Sequence, residues 1–230
     1  NRGKAFCSKQ VLPLSLAPFQ KNPPQSAQGE PGSARARSLE PLPPPLALAP
    51  GSPRGLAEAY EQGLARGVGV SNCSLAQLEV VQAVLERHRV PLLANQVEYN
   101  LLQRDWEAHL PGLRREGIAL MAYSPLAMGW LTGKLDPHHP PGGYRGKRYR
   151  PYLAKVRRVL PLLQHLAQAK RTTPAAIALR YLIQKGALPI PGAKNEAQAR
   201  LNAVASRSEH REALEVVLSP EEMALLEERS

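Results

Sequence analysis

The stretch LMAYSPLAMGWLTGK, Leu120 to Lys134, ends an apolar run on Tyr123 and passes at once into Ser-Pro and a glycine-rich turn. A tyrosine placed there can donate a proton, offer a flat face to a ring, or sit in a core with its hydroxyl at the edge. Three other apolar runs also end on polar or glycine residues. They finish at Ser71-Asn72, at Asn95-Gln96 with Tyr99-Asn100, and at Pro191-Gly192-Ala193-Lys194-Asn195. Side-chain amides and hydroxyls can hold another amide by paired hydrogen bonds. Gly192 permits close approach to backbone, and Lys194 ahead of a helix start suits a phosphate.

A carboxamide-bearing ring at one end and a phosphate at the other describe a nicotinamide dinucleotide. Taken singly, each of these residues is better explained as a loop-end group satisfying nearby backbone. Their coincidence at four ends favours the ligand. No GxGxxG follows any of the runs, which disfavours the doubly wound dinucleotide fold.

The elements that must position these residues follow a regular cycle from about Pro53. GLAEAYEQGLARG predicts a short helix closed by Gly67. VGVSN (Val68 to Asn72) reads as a compact strand, and Ser74 caps a helix whose Leu75, Leu78, Val81, Val84 and Leu85 share a face. PLLANQVEYN is a second strand, followed by a helix from about Trp106 to Glu116. GIALMAYSPL is a third, followed by a long loop and the helix PYLAKVRRVLPLLQHLAQAK. TTPAAIALRYLIQKG opens with Thr173 and a Pro174 suited to a first helical turn. ALPIPGAKN is a fourth strand, with a helix from Glu196 to about Ala205 after it. Finally, Ser219 and Glu222 form a capping box in SPEEMALLEER. Continuous apolar strands alternating with helices predict a parallel sheet with helices outside, and a ligand site at the C-terminal ends of the strands.

Residues 1–54 differ. They are rich in Pro, Ser, Ala and Arg without the period of helix or strand, and are expected to form a disordered leader, leaving 55–230 as the folded unit. The chain begins with Asn1 rather than Met. Its 43% hydrophobic and 21% charged content is that of a soluble protein. No apolar run approaches the roughly 18 residues of a membrane span, so no membrane partner is expected. Cys7 and Cys73 are the two cysteines, with no CxxC. His138-His139 lacks a third ligand, so no metal site is expected. The net charge of +11 raises a polyanion partner, but the densest basic cluster, Tyr144 to Arg158, is short. It reads as a solvated face or a site for a phosphorylated small molecule rather than for nucleic acid.

GVGVSNCS, ANQVEYN, IALMAYSPLAMGWLTGK, TPAAIALRYLI and PIPGAKNEAQARLN together resemble the second half of the aldo-keto reductases, over about Gly55 to Arg229. The PIPGAKN ending is similar to the branch with plant plastid and bacterial members. That resemblance implies an α/β fold, strands five to eight of a (β/α)8 TIM barrel, binding NADP(H) across the strand ends. It implies that Ser71, Asn72 and Gln96 hold the carboxamide and that Tyr123 stacks on the nicotinamide, making it a platform and not an acid. It further implies that Ser124, Pro125, Leu126, Gly129 and Leu131 line the pyrophosphate path. Gly192, Lys194, Gln198 and Asn202 would hold the adenosine end, with Lys194 near the 2′-phosphate.

Family members reduce aldehydes or ketones with a Tyr, Lys, Asp and His from the first four strands. Asn1 to Pro50 contains no Asp, Tyr or His, so the tetrad is not in the leader and no catalytic residue is assigned. Tyr99 has no evident Lys partner, and an unassisted phenol is a poor acid at neutral pH. The chain is therefore expected to be an NADP-dependent oxidoreductase in truncated form, inactive alone, with upstream coding sequence missing. A non-catalytic NADP(H)-sensing subunit is the alternative, and a docking protein using residues 1–54 is a third. Trp130 and the 136–150 loop are the parts available to shape a carbonyl pocket. The AVASRSEHREALEVV insertion adds charge before the last helix. Open barrel edges suggest self-association; a plastid or the cytoplasm is the expected location.

Overall fold

The computed structural model describes residues 52–192 and 216–230, together with the backbone of 47–48. Lys194, Gln198, Asn202, the expected helix from Glu196 and most of the leader lie outside the described residues. The described elements run β1 (Ala47–Leu48), α1 (Pro53–Glu61), β2 (Val68–Ser71), α2 (Leu75–Arg87), β3 (Leu92–Glu98), α3 (Leu110–Arg115), β4 (Ala119–Tyr123), α4 (Gly143–Tyr149), α5 (Leu153–Ala169), α6 (Pro174–Lys185), β5 (Leu188–Pro189) and α7 (Pro220–Arg229).

The strands form one parallel sheet in the order β1-β2-β3-β4-β5. Its side chains alternate between two faces, as the period of a strand requires. Val68, Val70, Val97, Leu120 and Ala122 join the main core with the helices, including Leu78 and Leu85 of α2 and Val156, Leu163, Ile177 and Tyr181 of α5 and α6. Ala94 and Met121 point to the opposite face, where Leu188 and Ile190 pack against them.

Caps legible from the sequence are present. Ser74 Oγ accepts from the Gln77 amide at 3.3 Å, Thr173 Oγ1 from Ala176 at 3.2 Å, and Ser219 with Glu222 forms a reciprocal box. Three expectations are corrected. α1 ends at Glu61 because Gly63, at φ +70°, takes the left-handed position first; Gly67 lies beyond the helix. On α2, Leu78, Val81 and Leu85 are buried, but Leu75 is 40% exposed, since it sits in the first turn, outside the packed stripe. The leader is not wholly without strand: Ala47–Leu48 pairs with Val68 and Gly69 at the edge of the sheet.

The long loop before α5 also contains a helix the sequence did not announce, α4. Gly146 makes it possible, because a Cβ there would lie 1.9 Å from the Pro141 carbonyl oxygen. Gly146→Ala must therefore push backbone from backbone. It is expected to destabilise the fold by about 1–3 kcal/mol and to speed proteolysis between residues 136 and 150; unchanged cleavage would refute this account.

Candidate cofactor site at the strand ends

β2, β3 and β4 are aligned so that Ser71, Gln96 and Met121 are level, and Glu98 is level with Tyr123. Strand alternation then puts Ser71, Gln96, Glu98 and Tyr123 on one face, at the C-terminal rim. Ser71 Oγ donates to the Gln96 carbonyl at 3.0 Å, and the Asn72 amide donates to the same oxygen at 2.8 Å. Asn72 turns the chain at φ +56°, a conformation Asn tolerates better than most residues. Its Oδ1 accepts from the Tyr123 hydroxyl at 3.2 Å, and its Nδ2 lies 3.4 Å from Ser71 Oγ.

Gln96 is only 6% exposed. Its side-chain amide makes no hydrogen bond to any described residue and is not among the fully buried unpaired groups, so it keeps access to the rim. The neighbouring Asn95 does different work on the opposite face. Its amide clamps Cys73, donating to the carbonyl at 2.9 Å and accepting from the N–H at 3.4 Å. Asn100 holds the turn after β4 by donating to the Ser124 carbonyl at 3.1 Å.

From Ser124 the chain enters a run of left-handed backbone. Ser124, Ala127, Met128 and Gly129 have φ of +50°, +49°, +53° and +99°. Three of these are not glycine, so the turn holds strain of the kind found at ligand sites. Leu126 and Gly129 are half-buried and Pro125 is buried. Leu131 is fully buried, with its side chain in the main core, so it offers a ligand no side-chain surface. Trp130 is likewise at 0% exposure; the expectation that it shapes a carbonyl pocket is corrected. Gly192 is exposed, and a Cβ there would meet nothing.

The phenol of Tyr123 is pushed above the usual tyrosine range, first by burial and then by the Glu98 carboxylate. That is the wrong direction for a proton donor. A tyrosine–lysine constellation does exist elsewhere. Tyr99 and Tyr181 both donate to Glu107 Oε1, at 2.9 and 2.7 Å, and Lys185 Nζ lies 3.6 Å from Glu107 Oε2 and 5.6 Å from the Tyr181 ring centroid. Both phenols are fully buried and pushed well above the usual range, by burial first and Glu107 after it. They are structural.

The sequence did not foretell the second group at the rim. Glu98 Oε1 accepts from Tyr149 at 2.7 Å, and Oε2 pairs with Arg148, which pins α4 over the ends of β3 and β4. Only the lone acid at the end of an apolar strand hinted at it. His138 and His139 are exposed on their loop, where Asp136 accepts from the His138 amide and pairs with the His139 ring. No group of three metal-ligating side chains occurs among the described residues. No helix among them is long and apolar enough to cross a membrane.

The sequence profile of the Aldo/keto reductase family matches residues 52–229. The chain is 38% identical over 143 residues to a chloroplastic pyridoxal reductase of Arabidopsis thaliana, covering 61% of this chain and 39% of that enzyme. It is 33% identical over 218 residues to an uncharacterised oxidoreductase of Mycobacterium bovis, covering 90% and 65%. An L-glyceraldehyde 3-phosphate reductase of Escherichia coli is 32% identical over 139 residues, 56% of this chain and 40% of that one. The chain thus spans about two fifths to two thirds of the length of these relatives.

Among solved structures, a thermostable aldo-keto reductase in complex with the inhibitor epalrestat superposes with a TM-score of 0.54 at 28% identity, over 77% of this chain and 53% of that one. A glycerol dehydrogenase of Gluconobacter oxydans shares the fold with a TM-score of 0.65 at 24% identity, over 77% and 52%. The parallel sheet and its outer helices follow the fold of these neighbours, and the chain belongs to the aldo/keto reductase family.

Proposed function

We propose that the chain carries the cofactor-binding part of an NADP(H)-dependent carbonyl reductase. The observation that carries this reading is the convergence of Ser71, Asn72, the unpaired Gln96 amide and the Tyr123 ring at one rim. An amide with free donor and acceptor, open at the rim, fits a carboxamide. Bound NADPH would supply the hydride for an aldehyde or ketone. The chain's own residues fix the ring: Gln96 and Ser71 orient the carboxamide edge, Asn72 braces Tyr123, and Tyr123 supports the face. Leu126, Gly129 and the strained turn lie along the path for the phosphates, while Gly192, Lys194, Gln198 and Asn202 take the adenosine end.

Among the described residues, Tyr99 and Tyr123 at the strand ends both hold their protons more tightly than a free phenol, which supports cofactor binding without turnover by this chain alone. A sensing subunit would do the same, and separates from a reductase only when the complementary residues are supplied. A plastid location is carried by the chloroplastic relative's name alone.

The test is a fluorescence titration of the purified chain with NADPH, beside a carbonyl-reduction assay. Saturable binding without NADPH consumption is expected. A folded, soluble chain that binds no NADPH would refute the assignment.

A further inference from the structure

Glu98 has a place at the rim that bracing α4 does not exhaust. It is the register partner of Tyr123 on the neighbouring strand, and strand alternation puts both side chains on one face. Adjacent strands lie about 4.8 Å apart, so the carboxylate stands beside the ring on which the nicotinamide would lie. Its charge is felt at the Tyr123 hydroxyl, and more strongly than the opposing charge of Arg148.

Two bonds hold this charge in place. The Tyr149 hydroxyl donates to Oε1 at 2.7 Å, and Arg148 pairs with Oε2. The Glu98 side chain is 17% exposed, so salt and water screen it less than a surface acid. A brace for α4 needs no charge, because an amide oxygen can accept from the same donors. An acid also repels a cofactor that carries phosphates, whichever form the cofactor is in. Only the ring end differs between the two forms: it is neutral in NADPH and carries one positive charge in NADP+.

We propose that Glu98 sets the preference of this site between the two forms of the cofactor, its carboxylate favouring the cationic ring of NADP+ over the neutral ring of NADPH. This rests on the proposed function and names an electrostatic control of that same site. The same preference makes bound NADPH a stronger hydride donor, since loss of a hydride, with its two electrons, is what gives the ring its charge.

The test measures dissociation constants of NADPH and NADP+ for the full chain by calorimetry, at one pH and ionic strength, and reads their ratio. The phosphates and the adenosine end are common to both forms and cancel. Glu98→Gln is expected to shift the ratio toward NADPH by about three- to tenfold, the effect of one unit charge several Å away in partly screened surroundings. Arg148→Gln removes the opposing charge and should shift it toward NADP+. Tyr149→Phe loosens the same helix without altering charge and should leave the ratio where it was. A purely structural Glu98 would weaken both forms alike in Glu98→Gln; that result, or a shift of the opposite sign, overturns the inference alone. If melting curves show that Glu98→Gln does not fold, Arg148→Gln decides, and a ratio that stays put or moves toward NADPH refutes the assignment. A folded parent that binds neither form removes the proposed function and the inference with it.

Discussion

Tyr123→Phe is expected to bind NADPH within about threefold of the parent chain, whereas Tyr123→Ala should bind it at least about fivefold more weakly. The reasoning is that the ring and the hydroxyl have separate tasks. The ring is the platform, and stacking a flat heterocycle on an aromatic face is worth about 1–3 kcal/mol, roughly five- to 150-fold. The hydroxyl makes a single 3.2 Å bond to Asn72 at a part-exposed site, worth about 0.5–1.5 kcal/mol net. Burial and Glu98 both hold its proton on. A Phe variant that binds as poorly as Ala would return the hydroxyl to the centre of the site. Fluorescence titration of the three proteins side by side, with melting curves to show that each is folded, measures this directly.

The second large effect concerns the fold. Glu107→Ala is expected to lower stability by about 2–5 kcal/mol, roughly 5–15 °C in melting temperature for a domain of this size. Glu107 accepts from two fully buried phenols, and its removal leaves both hydroxyls without an acceptor in the core. It also releases Arg104, whose Nε is 3.0 Å from Oε1, and Lys185, which pairs with Glu227 of α7 as well. Those cations are each 25% exposed, so water recovers part of their loss and the hydroxyls dominate. The same substitution in a Tyr99→Phe/Tyr181→Phe background should therefore cost clearly less. A melting temperature within about 1 °C of the parent would refute the hub.

The two phenols also fix a pH limit. Their pKa is raised in the folded state, while in the unfolded chain it is near 10. The network's contribution is complete below about pH 10 and falls as the pH rises past it. Alkaline denaturation should be blunted in the Tyr99→Phe/Tyr181→Phe variant.

What the sequence disclosed is what local chemistry determines. Strands buried on both faces read as unbroken apolar runs, so β2, β3 and β4 stood out. Caps at Ser74, Thr173 and Ser219 involve residues within three positions, and they were legible for that reason. α4 was not, because its stability comes from Glu98, fifty residues away, and from the backbone room at Gly146. Trp130 and Leu131 look from their neighbours like rim residues. The positive φ run before them turns the chain inward, which no residue pattern but Gly129 records. Tyr99 ends an apolar run as Tyr123 does, yet strand alternation sends the two to opposite faces. Periodicity could have separated them.

The narrow strand β5 decides how the sheet can grow. Ile190 N–H donates to the Ala122 carbonyl at 2.9 Å, so residues 188 and 190 turn their amides toward β4. The alternate positions, whose amides would face outward, are Pro189 and Pro191, and proline has no N–H. This flank presents carbonyl oxygens without donors. A second copy of β5 laid against it would bring acceptors to acceptors. The flank, which no described strand covers, can take only a strand that supplies every proton of the new ladder, which makes it a one-way socket.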